Sequence, residues 1–179
     1  MAPPAPRPEV WLRGPLPGIP TPLQPAAHAL IQAFEDVQAA IAALSPAEFW
    51  TRPGGAGSVG FHLMHLAGST DRLCTYARGE GLSDQQRARL AEEREPPAPL
   101  PDAALLLTRW RQTVDRALDQ FKGTPVESLT GRREVGRARM PSTVHGLLFH
   151  AAEHASRHAG QIVTTAKIVR GIGTMDGGR

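Results

Sequence analysis

Apolar residues recur along much of the chain at the spacing of an amphipathic helix. The clearest case is the segment 26–44, whose apolar positions include Leu30, Ala33, Phe34, Val37, Ile41 and Leu44. Intervals of three and four residues place these side chains on one face of a helix, which can then be buried. The pattern therefore predicts a first long helix over residues 26–44.

Capping residues and glycines bound three further long helices. Ser58 caps a segment that runs to residue 78, and Asp102 caps one that runs to residue 122. Glycine follows both segments, and Pro-Ser opens a last helix over 141–170. A shorter helical stretch over 83–94 separates the second long helix from the third, and residues 124–141 are predicted to be a loop with room for a short strand. Four long helices predict an all-α four-helix bundle. The long connection between the second and third helices permits a crossover.

Prolines divide the chain into regions. Nine of the 17 prolines fall within residues 1–25, and a residue with fixed φ and no N–H cannot continue a helix or a central strand. The same stretch carries large apolar residues: Trp11, Leu12, Leu16, Ile19 and Leu23. We therefore expect an extended arm over 1–25 packed on the body, a bundle over 26–170, and a loose tail over 171–179.

Composition excludes several classes of protein. No apolar run approaches the roughly 18 residues of a membrane span, and no signal peptide is visible, so a cytoplasmic protein is expected. The single cysteine, Cys74, excludes an internal disulfide framework and a multi-cysteine zinc site, and we interpret it as a small buried hydrophobe. The net charge of +3 contains one dense run, 132–139, which is either a solvated loop or a binding site for phosphate or an acidic substrate. Nucleic-acid binding is not expected.

Histidines are concentrated in two predicted helices. His150, His154 and His158 are spaced by four residues in the last helix, and each step drifts by only about 40°, so the three share one face. Two imidazoles at i and i+4 can chelate one metal ion, and the second helix offers His62 or His65 as a third ligand. Alternatively, the histidines are polar core residues without a metal.

Two segments resemble the DinB/YfiT-like superfamily of metalloproteins. Val59-Gly60-Phe61-His62-Leu63-Met64-His65-Leu66-Ala67-Gly68 is similar to the family's second helix, and the run from His150 to Gln161 is similar to its last helix, with the pattern H-x-x-x-H-x-G-Q. The resemblance implies a four-helix bundle in up-down-down-up order with a long crossover between helices 2 and 3.

The same resemblance implies a three-histidine site for a divalent metal, commonly zinc or nickel. The matching positions are His65, His154 and His158. Helical phase alone slightly prefers His62, which lies nearer the apolar stripe of its helix. His150 then becomes a pocket residue, and Glu153 or Gln161 would orient a ligand ring, as metal-binding histidines usually require.

Characterised members of this family suggest what such a site does. They include transferases that use bacillithiol, mycothiol or glutathione, and a thiol-dependent isomerase. We therefore expect a small-molecule transferase with a low-molecular-weight thiol cofactor, or a related metal-assisted hydrolysis or isomerisation, in a homodimer. Arg137, Arg139 or Arg157 would bind the cofactor's carboxylates. The alternative is a non-catalytic metal-binding or stress-response bundle. Since only neutral imidazole binds metal, affinity is expected to fall below about pH 6.5.

Overall fold

Six α-helices and one two-stranded sheet form the part of the chain that the structure describes. The computed structural model describes the backbone of residues 7–176 and the side chains of residues 7–171. The helices are α1 Gln24–Ile41, α2 Pro46–Trp50, α3 Val59–Ala77, α4 Asp84–Arg94, α5 Ala103–Lys122 and α6 Val144–Asp176; the strands are β1 Arg132–Val135 and β2 Met140–Thr143. The predicted all-α class is confirmed, with the small sheet as an addition.

The four long helices α1, α3, α5 and α6 enclose one hydrophobic core. Helix α6 packs against both α1 and α3, and α5 packs on the other side of the same two helices. Large apolar side chains fill the centre, and the fully buried ones include Leu30, Leu63, Trp110, Leu148 and Ile162. Burying side chains of this size stabilises each helix against its neighbours by about 1.5–3 kcal/mol per residue.

Side chains cap the helices as the sequence predicts. The Ser58 hydroxyl accepts a hydrogen bond from the Phe61 amide at 3.1 Å, and Asp102 accepts one from the Leu105 amide at 2.6 Å. Each bond satisfies an N–H that has no partner within the helix. Helix α1 begins at Gln24 rather than at residue 26, because Pro25 lies in the first turn, where its missing N–H costs nothing.

Helix α6 differs from its prediction at both ends. It begins at Val144 because residues 141–143 belong to β2, and it continues to Asp176. The glycines at 171 and 173 therefore do not end it, which is tolerable because glycine within a helix costs only about 1 kcal/mol relative to alanine. The loose tail predicted over 171–179 is thus helical as far as residue 176, and residues 177–179 lie outside the described part.

The segment predicted as a loop forms the antiparallel β-hairpin β1–β2. Val135 pairs with Met140, and the turn between them uses positive φ at Gly136 and Arg139. Alternation did not reveal these strands because neither face of the hairpin is fully buried. Arg133 anchors the hairpin to the end of α3 by donating to the Ala77 carbonyl at 2.7 Å.

The proline-rich arm contacts α1 over its described residues, 7–25. Ile19 and Leu23 are buried, and Arg13 forms a bidentate ion pair with Glu35, with both distances 2.6 Å. Trp11 and Leu12, by contrast, are 62% and 57% exposed. The expectation that all the apolar residues of the arm pack on the body was therefore wrong for these two. Short 3-10 turns at Val10–Arg13 and Thr21–Leu23 also interrupt the extended arm that the prolines predicted.

Helix α4 lies in the connection between α3 and α5 and packs on α3. It is polar on nearly all sides, and its one fully buried residue is an acid, Glu93. None of the helices in the described residues combines the length and apolar character that a membrane crossing requires.

Candidate metal centre

Three partly buried histidines from two helices meet between α3 and α6. His65 lies on α3, and His154 and His158 occupy consecutive turns of one face of α6. One ring nitrogen from each lies within 4.8 Å of the other two. The ring centroids are 5.1 Å apart for His65–His154, 4.7 Å for His65–His158 and 4.5 Å for His154–His158. The three residues singled out from the sequence are therefore brought together.

The spacing of the nitrogens fits a shared metal ion. The Nε2 atoms of His65 and His154 are 3.0 Å apart. Two imidazole nitrogens bound to one zinc at about 2.0–2.1 Å, at the angles of common coordination geometries, lie about 2.9–3.4 Å from each other. The observed distance falls in this range, so the donor set suits a divalent cation.

Glu93 fixes the orientation of His65. The Nδ1 atom of His65 lies 2.8 Å from one Glu93 oxygen, and a carboxylate only accepts hydrogen bonds, so Nδ1 carries the proton. The Nε2 lone pair is then directed toward Nε2 of His154, 3.0 Å away. Arg72 holds the carboxylate in turn, at 2.6 and 3.2 Å. Burial raises the pKa of Glu93, but hydrogen bonds from His65 and Arg72 outweigh this and leave the pKa below its ordinary value.

His62 supports His158 rather than joining the three. It is 8% exposed, and its Nδ1 lies 3.1 Å from Nδ1 of His158. This bond occupies one nitrogen of His158 and leaves Nε2 as its available ligand atom. Of the two histidines that the sequence offered from α3, the structure thus brings His65 into the cluster and makes His62 a buried partner behind it.

The surroundings of His154 and His158 favour the neutral form of imidazole, which is the form that binds metal. Burial, with the like charges of neighbouring histidines, lowers the pKa of His154 and of His158 to about 4. Moreover, Nδ1 of His154 is buried without a hydrogen-bond partner, one of three such side-chain atoms among the described residues. Burying an imidazole with an unsatisfied nitrogen costs folding free energy.

The roles expected for neighbouring residues change in the structure. Glu153 bonds His150, at 3.2 Å, and Arg157, instead of a ring of the cluster. His150 is exposed, and so is Gln161. The expectation that Glu153 or Gln161 orients a ligand ring was therefore wrong, and Glu93 has this position.

Sequence reasoning missed both Glu93 and Arg72, although one signal was present. Arg72 follows His65 by seven residues, or two helical turns, so both lie on the same face of α3. An arginine on a face that is to be buried requires a carboxylate partner. The sequence could therefore have predicted an acid beside His65, but not which one.

The fold and the site together define a helical protein with a three-histidine centre suited to a metal ion. The profile of the DinB superfamily matches residues 29–162, and the chain belongs to that superfamily. A crystal structure of a conserved protein from Enterococcus faecalis superimposes with a TM-score of 0.69 at 20% sequence identity, covering 83% of this chain and 97% of that one. This similarity shows a shared fold. A search of curated proteins found no significant match.

Gly68 leaves the space in which Glu93 packs on α3. A Cβ atom at this position would lie 2.1 Å from a Glu93 oxygen and 2.7 Å from Nη1 of Arg72. We expect Gly68→Ala to displace the ion pair, to lower the free energy of unfolding by about 1–3 kcal/mol and to weaken metal binding. Chemical denaturation and a metal titration measure the two effects.

Gly160→Ala is the matched control, because Gly160 is also within a helix and a Cβ there would meet nothing within 4 Å. Alanine should stabilise this position by about 0.5–1 kcal/mol through helix propensity alone. If Gly68→Ala stabilised the protein equally, the close packing of Glu93 on α3 would be wrong.

Metal retention is expected to extend to lower pH than free imidazole would allow. With the pKa of His154 and His158 at about 4, protons compete for these two rings only as the pH approaches that value. We therefore expect most of the metal to be retained at about pH 5.5 and released between about pH 5 and pH 3.5. Equilibrium dialysis across this range measures it, and release centred near pH 6.5 would contradict the depressed pKa values.

The same pKa shifts predict how stability depends on pH without metal. The folded protein keeps both rings neutral, whereas the unfolded chain takes up protons below about pH 6.5. The stability contribution is therefore fully present above about pH 6.5 and is lost as the pH falls toward 4. Thermal melting of metal-free protein should show this decline.

Proposed function

We propose that this protein is a divalent-metal-dependent enzyme that holds zinc or nickel on His65, His154 and His158. The observation that carries the proposal is the convergence of three histidines from two helices, with Nε2 of His65 and His154 3.0 Å apart. Three protein ligands leave coordination positions open, which is typical of reactive rather than structural metal sites.

The proposal includes the arrangement of the chain. The long helices α1, α3, α5 and α6 would form an up-down-down-up bundle, with α4 in the crossover between the second and third of them. Support comes from the packing of α6 on α1 and α3 and from the position of α4 against α3. We further propose that the protein acts in the cytoplasm as a homodimer.

The proposed reaction transfers a low-molecular-weight thiol to a small-molecule substrate; the related alternatives are metal-assisted hydrolysis or isomerisation. A bound divalent cation supplies Lewis acidity, which stabilises the deprotonated form of a thiol or of water. The chain has one cysteine, Cys74, which is buried, and burial raises the pKa of its thiol to about 12. Because Cys74 cannot react, a cofactor would have to supply the thiol.

The residues around the centre have defined tasks in this proposal. Glu93 keeps the proton on Nδ1 of His65, so that Nε2 remains a ligand. His62 holds the ring of His158 through its Nδ1. Both partners are nearly inaccessible to solvent, whereas the side chain of His65 keeps 24% of its exposure. A substrate would therefore approach from the side of His65.

A thiol-conjugation assay tests the proposed activity. Metal-loaded protein is mixed with glutathione, bacillithiol or mycothiol and with an electrophile such as 1-chloro-2,4-dinitrobenzene, and loss of free thiol is followed. We expect turnover with at least one thiol that disappears when the metal is removed and returns when zinc or nickel is restored. His150→Ala, which changes an exposed histidine one turn before His154, should retain that turnover.

Metal-loaded protein that turned over none of these thiols, and no ester or isomerisable substrate, would contradict the enzymatic proposal. Tight metal binding under those conditions would favour the alternative, a non-catalytic metal-binding or stress-response bundle.

A further inference from the structure

A cleft of about 790 Å³ opens beside His65. It lies between the start of α3, the end of α4 and the segment leading into α5, and its lining includes Trp50, Arg52, Phe61, Leu90, Arg94 and Leu100. This volume is within the range of small-molecule sites. His65 and Glu93 also line it, so the cleft reaches the candidate metal centre directly.

One part of the cleft wall is apolar. The Phe61 ring stacks on His65 with centroids 6.0 Å apart and planes 8° from parallel. Trp50 is fixed by a hydrogen bond from its indole nitrogen to the Pro101 carbonyl, at 3.1 Å. Leu100 remains 51% exposed. An apolar wall left in contact with water is stabilised when an apolar ligand covers it.

The charges of the cleft are unbalanced. The carboxylate of Glu93 is already paired with Arg72, which reaches it from α3. Arg52 donates only to the carbonyls of Ala56 and Gly55, both at 3.3 Å, and Arg94 has no ion pair within the described residues. Two guanidinium groups therefore lack an acidic partner in this cleft. Guanidinium binds carboxylate, sulfonate and phosphate groups in the same forked geometry.

We propose that this cleft binds a small organic anion with an apolar body. The apolar part covers Phe61 and Leu100, and the anionic group pairs with Arg52 and Arg94. The inference rests on the proposed function, because the other end of a ligand bound in this way would lie beside His65, the proposed metal ligand. It also replaces the sequence expectation that Arg137, Arg139 or Arg157 binds the anion. Arg139 and Arg157 are paired with Glu134 and Glu153, and Arg137 lines a neighbouring cleft that shares Leu90 and Arg94 with this one but does not include His65.

Two fluorescent probes that differ by one charge test the proposal. The anion 8-anilino-1-naphthalenesulfonate and its uncharged analogue N-phenyl-1-naphthylamine share their rings and differ in the sulfonate. Both are titrated into full-length protein, with and without zinc. We expect saturable binding of one anion per chain, tighter than that of the analogue.

Single substitutions locate the bound probe. Arg52→Gln and Arg94→Gln should each lower the affinity for the anion about fivefold, since a partly exposed charge pair contributes about 1 kcal/mol. The affinity for the uncharged analogue should not change. Leu100→Ser should lower the affinity for both probes. Arg137→Gln is the matched control because Arg137 is an exposed arginine of the hairpin, and it should lower the affinity for neither probe. Circular dichroism verifies that each variant is folded.

Several outcomes would overturn the inference: no saturable binding, equal affinity for the two probes, or no effect of Arg52→Gln and Arg94→Gln. Weakening by Arg137→Gln but not by Arg52→Gln would place the anion at the hairpin and also refute it. Failure of the metal proposal gives a different result, in which the anion binds as expected while His154→Ala leaves metal binding unchanged.

Discussion

Replacement of His154 by alanine is expected to lower the affinity for zinc or nickel at least about 100-fold. Removing a residue that only supports a metal ligand typically costs about 10- to 100-fold in affinity, and loss of a ligand itself should cost more. His154 faces His65, with their Nε2 atoms 3.0 Å apart, and its ring lies beside that of His158 on the same helix. Two remaining imidazoles cannot enclose the ion as three do.

Competition with a chelating dye measures this affinity in protein purified without an affinity tag. His150→Ala is the matched control, because His150 lies on the same helix, is exposed and has its hydrogen bond with Glu153, although its ring centroid lies 5.5 Å from that of His154. We expect the metal affinity of this variant to stay within about threefold of that of the original protein, because surface substitutions generally have small effects. Equal losses in the two variants, or no loss in His154→Ala, would refute the three-histidine site.

The metal-free form of His154→Ala should be at least as stable as the metal-free original. The original buries Nδ1 of His154 without a partner, and an unsatisfied buried polar atom costs about 1–3 kcal/mol. Alanine removes that atom and is the best helix former. A variant that loses the metal and keeps or gains stability would mark His154 as a residue retained for function.

How much of the site could be read from the sequence depended on where its parts lie in the chain. His154 and His158 are four residues apart on one helix, so periodicity alone placed them on a common face. The contribution of α3 was ambiguous because His62 and His65 differ by less than one turn. The family resemblance selected His65, and the structure places it in the cluster.

Glu93 could not have been found in this way. It lies 28 residues from His65, on a helix that is polar on nearly all sides and has no apolar stripe to show which face turns inward. Its burial arises from the packing of α4 on α3 at Gly68. The β1–β2 hairpin could not be predicted for a related reason: apolar and polar residues alternate along a strand only where one of its faces is buried.

Glu93→Gln is expected to lower the free energy of unfolding by about 3 kcal/mol. Glu93 is 6% exposed and Arg72 is 9% exposed, and removing one member of a buried pair leaves the other charge uncompensated. The amide also forms weaker hydrogen bonds with His65 and Arg72 than the carboxylate does. Urea denaturation of metal-free protein measures the loss. Glu92→Gln, at the preceding position of α4 and outside any ion pair of the described residues, should change stability by less than about 0.5 kcal/mol.

The stabilisation by Glu93 should depend on pH in a defined direction. Its pKa is lowered in the folded protein, so the carboxylate contributes fully above its ordinary pKa of about 4.3, and the contribution is lost as the pH falls through the folded value. The stability difference between the original and Glu93→Gln should therefore be constant near neutral pH and shrink below about pH 4. A difference that grew on acidification would contradict the ion pair.

A double variant separates the structural task of Glu93 from its task at the metal centre. Arg72→Met combined with Glu93→Gln removes the uncompensated charge, so much of the lost stability should return, as when buried ion pairs are replaced by apolar residues. Metal affinity should nevertheless remain about 10- to 100-fold lower, because His65 still lacks the carboxylate that keeps its proton on Nδ1. Recovery of both properties together would mean that Glu93 acts only through the fold, whereas recovery of stability alone identifies it as the residue that positions His65.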